Sequence, residues 1–240
     1  TGVEQADEGV RVACERDGSH FSVTGSTLLV ATGRLPNIGD LGLGKAGIVH
    51  DAQGIQLRRN LKTTNRRVYA IGDVAGGMQS TRVAACQAAL VVRQILFRLP
   101  ARENCAILPR AIYTDPELAH VGLSEDEARR RHRRIRVLRW PLSANDRAQI
   151  ERQTDGLIKI VTTARGRILG ASIAGLHAGE MISLWSLAVS KGLTVADIRA
   201  YVPPYPTLAE IGKRAALSYY HPVPRKMSVR RIVRLLSRLG

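Results

Sequence analysis

The chain has 240 residues, 45% hydrophobic and 23% charged, with a net charge of +16. That size and apolar content supply one large domain or two small ones around a packed core, and exclude global disorder. Aromatic residues make up only 4% and are not interleaved with the basic ones, so the core is aliphatic and nucleic-acid binding by base stacking is disfavoured.

The remaining partners for so much positive charge are an anionic lipid surface, an anionic cofactor, or water around solvated arginine faces. No run approaches the ~20 apolar residues that span a bilayer, and no secretory signal pattern opens the chain. It begins at Thr1 rather than Met, and "TGVEQADEGVRVAC" reads as the middle of a β-rich segment. The expectation is a fragment or a processed chain. Cys14, Cys86 and Cys105 are too far apart in sequence for a metal or redox motif. A sparse, odd set fits a reducing compartment, hence a cytoplasmic protein, with the cysteines as small packing residues.

In chain order, "VRVAC" and "HFSV" predict two strands joined at Asp17-Gly18, a hairpin signal. "TLLVATG" predicts a strand buried on both faces, ending at Gly33. A Gly-rich loop follows, then "RVYAIGD", a second β-type run over 67–73. From Ser80, Val83, Ala84, Ala88, Val91 and Ile95 recur at helical spacing until Pro100. The rhythm changes at Ala111, and the best domain cut is near residue 108. Beyond it come a strand, a Pro turn, and a capping box of Ser124 with Glu127 three residues on. The basic run 129–134 reads as a solvated helix end. "IRVLRWPL" is a strand, and 157–174 a hairpin turned at Arg165-Gly166. A helix stopped by Gly192, a short helix from Thr194 and a helix over 208–220 complete this part.

The tail 225–240 places Val229, Ile232, Val233 and Leu236 on one helical face and Arg230, Arg231, Arg234 and Arg238 on the other. Two readings stay open: a helix docked on its own domain or a dimer partner, and a basic helix lying on an anionic membrane surface.

Two stretches carry chemistry. Gly72-Asp73 ends a β-type run, placing a carboxylate where a ligand can approach the backbone; as a bland turn it needs no ligand. "VPPYPTLAE" (202–210) centres on Tyr205 and leads into Glu210, which also forms a candidate capping box with Thr207.

"TLLVATGRLPN" followed by "NLKTTNRRVYAIGDVAGGMQST" closely resembles the flavoprotein disulfide reductases, or pyridine nucleotide-disulfide oxidoreductases. "YTDPELAHVGLSEDEA" and "DGLIKIVTTARGRILGASIAGLHAGEMI" look like that family's dimerisation domain, nearest the mercuric-reductase-like and dihydrolipoamide-dehydrogenase-like branch. The resemblance implies an α+β fold: a partial FAD/NAD(P)-binding α/β segment, then an α+β dimerisation domain with an antiparallel sheet. It divides the chain into the end of an NAD(P)-binding domain (1–34), a second FAD-contacting segment (35–107), an interface domain (108–224) and the tail (225–240).

It also implies roles. Asp73 binds the ribityl hydroxyls of FAD, with Gly72 making room. Thr81 sits beside the flavin pyrimidine ring, at a helix start that favours the anionic reduced flavin. Arg34 lies near the nicotinamide cofactor; a loop arginine in a surface ion pair is the alternative. The family carries His-Pro-Thr-x-x-Glu where this chain has Tyr205-Pro206-Thr207-Leu208-Ala209-Glu210. There the His, steered by the Glu, serves the partner subunit's redox disulfide as acid/base. A phenol titrating near ~10 is a poor proton shuttle at neutral pH. The resemblance thus implies FAD, NAD(P)H and a homodimer, leaves the electron acceptor open, and puts disulfide exchange in doubt. The CxxxxC redox pair and the C-terminal vicinal cysteines of a mercuric reductase do not occur in this sequence, and no GxGxxG leads from a predicted strand into a predicted helix as a nucleotide fingerprint does. By itself the chain is expected to be inactive.

Overall fold

The computed structural model describes residues 2–7, 9–100, 107–221 and 227–237. Cys105, Pro222, Pro224 and Arg238, and the side chains of Val229, Arg230 and Ile232, lie outside the described residues. The chain forms two compact units, residues 1–58 with 62–78, and residues 59–61 with 79–240.

The first unit opens with an antiparallel meander of β1 (Gly2–Ala6), β2 (Gly9–Arg16) and β3 (Ser19–Gly25). Asp17 and Gly18 turn β2 into β3 with φ of 52° and 77°, the paired positive values whose twist suits a two-residue hairpin. The expected strand over "TLLVATG" does not form: residues 27–33 are irregular, and Leu29 and Val30 are 85% and 72% exposed. An apolar run becomes a buried strand only if neighbours supply ladder hydrogen bonds and cover both faces. No described strand pairs with this one. "RVYAIGD" likewise contributes one isolated bridge, Lys62 to Tyr69, and then a 3-10 turn over Gly72–Ala75.

A small apolar cluster of Leu43, Ile48, Ile55 and Ala70 holds this region together. The hairpin of β4 (His50–Asp51) and β5 (Gly54–Ile55) presses against the Gly72–Ala75 turn. The approach is close enough that a Cβ on Gly54 would stand 2.7 Å from the Gly76 nitrogen, and one on Gly76 2.5 Å from the Gln53 oxygen.

The second unit begins with α1 (Thr81–Phe97), whose N-cap Ser80 accepts a hydrogen bond from the Arg82 N–H. The helix stops at Arg98, in a left-handed conformation, two residues before Pro100. A five-stranded antiparallel sheet follows, in the order β6-β7-β10-β9-β8. Its strands are β6 (Arg110–Ile112), β7 (Leu118–Gly122), β8 (Ile135–Pro141), β9 (Leu157–Thr163) and β10 (Ile168–Ala174). Both predicted hairpin and capping box are present. β9 pairs with β10 around Gly166, and Ser124 and Glu127 cap α2 (Glu125–Arg131) reciprocally.

After β8, the short helix α3 (Asp146–Glu151) starts from Asn145. Helix α4 (Ala178–Lys191) lies against β7 and β10 and ends at Gly192. Thr194 and Asp197 cap α5 (Val195–Ala200). Helix α6 (Glu210–Ser218) covers β8 and β9, and α7 spans Met227–Leu236. The core is aliphatic, built on Val121, Ile158, Ile160, Ile173, Ile182 and Ile211, with Trp185 as its one large aromatic.

His120 on β7 sits half-buried between Ser172 Oγ at 2.9 Å and the Gly122 carbonyl at 3.1 Å. A carbonyl only accepts, so Nε2 carries the proton and Nδ1 accepts from the hydroxyl: a satisfied neutral imidazole. Burial lowers its pKa from 6.5, opposed by the Gly122 hydrogen bond, while Arg110 and Lys159 lower it further. The unfolded chain therefore binds the proton more readily than the folded one. Stability contributed here is present above about pH 6.5 and is lost as pH falls toward the folded pKa. Urea midpoints measured from neutral to mildly acidic pH will decline, and His120→Gln will flatten that decline. An unchanged slope in the variant would assign the acid sensitivity elsewhere.

Where α6 crosses α4, Gly212 touches the Trp185 ring: a Cβ there would stand 2.7 Å from Cζ2, and the ring is only 2% exposed. Gly212→Ala gains helix propensity of up to about 1 kcal/mol. It also forces a ring that has nowhere to go, at about 1–3 kcal/mol. Net destabilisation is expected in chemical unfolding; a more stable variant would show that the contact is slack.

Candidate functional site

Asp73 stands in the first turn of the Gly72–Ala75 3-10 helix, directly after Gly72, which is buried and has a φ of 74°. The left-handed backbone at Gly72 turns the chain so that the next side chain leaves the small core. Its carboxylate is 42% exposed, and Arg34 Nη1 lies 3.6 Å from Oδ2. Arg34 thus makes an ion pair with Asp73 at the surface. Thr81 begins α1 in the other compact unit. Ser80 Oγ takes the Arg82 N–H and Ser80 O takes the Ala84 N–H. The Thr81 N–H has no acceptor within its own helix, as at any helix start.

A separate candidate site is the 202–209 loop of the second unit. Tyr205 is 70% exposed, and its hydroxyl donates to Asp146 Oδ2 at 3.0 Å. The carboxylate stabilises the protonated phenol through that hydrogen bond and through its charge, and Glu210 adds negative charge. The Tyr205 pKa is therefore raised above 10.0. Glu210 reaches Tyr205 only through its charge; the hydroxyl is committed to Asp146.

The expected Thr207–Glu210 capping box is absent. The Thr207 hydroxyl donates to the Pro204 carbonyl at 2.7 Å, and the Glu210 N–H goes to the Thr207 carbonyl. With the hydroxyl turned back into the proline loop, a turn over 207–209 intervenes and α6 starts at Glu210.

Asn145 and Asp146 are the residues that sequence reasoning missed. Asn145 is 4% exposed. Its Oδ1 accepts from the Ala148 N–H at 2.9 Å, capping α3, while Nδ2 donates to the Thr207 carbonyl at 3.0 Å. Two adjacent residues thus hold the loop on either side of Pro206. The local signal was present: Asn ahead of "DRAQIE" is an N-cap pattern. The contact to residues about 60 positions later has no local signature.

An exposed acidic turn in one unit and, in the other, an antiparallel sheet covered by helices with an edge loop holding a tyrosine describe an α+β protein. Comparison with known proteins says which kind. Residues 1–88 match the family described as pyridine nucleotide-disulphide oxidoreductase, and residues 108–216 match its dimerisation domain. The chain is 37% identical to a mercuric reductase of Bacillus cereus over 219 residues, 90% of this chain and 35% of that protein. It is 35% identical to a dihydrolipoyl dehydrogenase of Bacillus subtilis, over 90% of this chain and 46% of that one. The crystal structure of LpdA from Mycobacterium tuberculosis superposes with a TM-score of 0.81 at 26% identity, covering 90% of this chain and 47% of that one.

The chain belongs to the pyridine nucleotide-disulphide oxidoreductases. Members of this family are FAD-dependent and use NAD(P)H, and this chain covers only part of that site. It spans less than half the length of the relatives it matches.

The Asn145 amide makes a falsifiable stability claim. Asn145→Ala removes a helix cap and leaves the Thr207 carbonyl without its donor, at a cost of about 1–3 kcal/mol. Asn145→Asp keeps the cap but loses the donor, and is expected to fall between. Equal stability of Asn145→Ala and the parent chain in denaturant titrations would mean that the loop is held by something else.

Proposed function

We propose that this chain supplies the late FAD contacts and the dimer interface of an FAD-dependent NAD(P)H oxidoreductase. Bound FAD would take a hydride from NAD(P)H and deliver electrons to an acceptor. The residues here do the holding. Asp73, acceptor-only when ionised, takes hydrogen bonds from the ribityl hydroxyls, and Gly72 leaves the backbone open beside it. The N-terminus of α1, at Thr81, places partial positive charge where negative charge develops on reduction. Arg34 screens Asp73 and stands toward the nicotinamide side. Residues 108–224 form the interface of a homodimer, and the chain alone is inactive.

The observation that carries this reading is the Gly72–Asp73 turn. It is braced from beneath by the close approach of Gly54 and Gly76, and it presents a half-exposed carboxylate. Such a carboxylate fits a polyhydroxyl ligand. The test uses the longer protein of which this chain is the matching part. Asp73→Ala is expected to lose FAD on dilution, with affinity lowered at least about tenfold, or 1.4 kcal/mol. Full flavin retention would sink the assignment. Sedimentation of the 240-residue chain should show a dimer at high concentration; a strictly monomeric profile counts against the interface.

At the loop, Tyr205 acts as a hydrogen-bond donor and positioning residue, with Glu210 behind it. Its pKa, raised by the Asp146 hydrogen bond, leaves the phenol protonated across the neutral range and a poor proton shuttle. Tyr205→Phe is expected to change NAD(P)H-to-flavin transfer by less than about tenfold, 1.4 kcal/mol. Its pH profile near neutrality should match that of the unmodified protein. A larger loss in stopped-flow flavin reduction would make Tyr205 central to the first half-reaction.

A second reading, a non-catalytic dimerisation module held at a membrane surface, is favoured by one feature. On α7, Met227, Val233 and Leu236 are exposed alongside Arg231 and Arg234. Among the described residues no helix is long and apolar enough to cross a membrane; contact would be peripheral, through anionic headgroups. Binding to anionic but not neutral vesicles, abolished by deleting 225–240, would support it.

A further inference from the structure

The densest charge in the described residues lies at the end of α2 and the start of β8. Six of the eight residues from Arg129 to Arg136 are arginines. They are unevenly used. Glu125 already receives Arg129 at 2.7 Å, Arg139 at 2.9 Å and Lys159 at 3.8 Å. Among the described residues, Arg130, Arg131, Arg133 and Arg134 form no ion pair. Surface arginines on an edge strand also discourage edge-to-edge pairing. That explains Arg136 and Arg139 on β8, but not the four arginines of 129–134 that form no ion pair, of which Arg130 and Arg131 feel the Glu127 charge and Arg133 and Arg134 lie beyond it.

The surface here is concave. Arg129, His132, Arg133, Arg134 and Arg136 line a groove of about 430 Å³, closed on one side by Ala164 of the β9–β10 turn. Its floor is built rather than loose. The Tyr219 hydroxyl donates to the Ala164 carbonyl at 2.8 Å, and the Arg136 guanidinium lies over the Tyr219 ring at 4.0 Å. Ring stacking fixes the plane of the guanidinium and leaves its N–H edge directed outward. Gly166 packs beneath the turn: with φ of 88°, a Cβ there would stand 2.8 Å from Val195 Cγ2 and 3.4 Å from the Tyr219 ring.

We propose that this groove binds a polyphosphate group, that is, two or more linked phosphoryl groups, either as inorganic polyphosphate or as the phosphate chain of a nucleotide. The guanidinium fork matches phosphate oxygens two at a time. Donors come from the helix end, the following loop and the strand, so one phosphoryl group cannot span them. The low aromatic content around the groove, with Tyr219 covered by Arg136, leaves no free ring for stacking nucleobases, which separates this site from a single-strand RNA surface.

The test is titration calorimetry of the chain with inorganic tripolyphosphate at low salt. Saturable binding at one site per chain is expected. Arg133→Glu/Arg134→Glu should weaken it at least about tenfold. Arg66→Glu/Arg67→Glu, the same charge change on two exposed residues of the first unit, should change it by less than about twofold. Should the first variant unfold, Arg133→Gln/Arg134→Gln is the milder substitute, with the same direction expected. ATP binding as tightly as tripolyphosphate supports recognition of the phosphate chain alone, and tighter ATP binding a nucleotide source. Equal losses from both charge reversals, no saturable binding, or tighter binding of single-stranded RNA than of tripolyphosphate would overturn the proposal.

Discussion

The arrangement of the 202–209 loop depends on one buried amide. Asn145 serves two backbones at once, capping α3 through its carbonyl oxygen and holding the Thr207 carbonyl through its amide nitrogen. Both bonds lie out of bulk water, where an unmade partner costs far more than a made one contributes. The proline-rich loop has few backbone N–H groups of its own with which to fix its path. Its position is therefore set from outside, by Asn145 behind it and by Asp146 at its tip. The tyrosine that this clamp presents is held by a carboxylate that keeps it protonated. The geometry and the proton affinity have one origin: the N-terminal residues of a six-residue helix.

A related economy shapes the other unit. Its core is small, four buried aliphatic residues with a few partly covered neighbours. Such a core cannot hold an acidic turn rigidly by burial alone. Close backbone contact between Gly54 and Gly76 does the rest, in space that no side chain can enter. The Arg34–Asp73 pair adds little, because both groups are substantially exposed and water screens them. The carboxylate is thus placed by backbone packing and stays available to a ligand.

Local chemistry was legible in the sequence where a few adjacent residues decide the outcome. Asp17-Gly18, Ser124 with Glu127, Gly192, and Thr194 with Asp197 all form the turn or cap expected of such residues. Apolar runs misled where the outcome depends on partners. "TLLVATG" and "RVYAIGD" have strand composition but no neighbouring ladder, so they stay irregular. Thr207 misled for the opposite reason: its hydroxyl turns back to donate to the Pro204 carbonyl instead of accepting from a helix-start N–H. At the site, Asp73 and Tyr205 were legible as positions, but their partners Arg34 and Asp146 were not fixed by spacing. The basic run 129–134 read as a solvated helix end, because the turn and the tyrosine packed beside it lie about 30 and 85 residues further along the chain.

We propose that Asp73 meets the flavin ribityl chain and that Tyr205, where the family carries a histidine, faces the partner protomer's redox centre as a poor proton shuttle. A crystal structure of the longer protein with FAD bound measures both at once. The account predicts Asp73 within hydrogen-bond distance of a ribityl hydroxyl. It also predicts the Tyr205 hydroxyl still bonded to Asp146, on the face turned to the partner protomer's redox centre. A ribityl chain bound elsewhere, or a Tyr205 loop turned to solvent far from the dimer's cofactor, would contradict it.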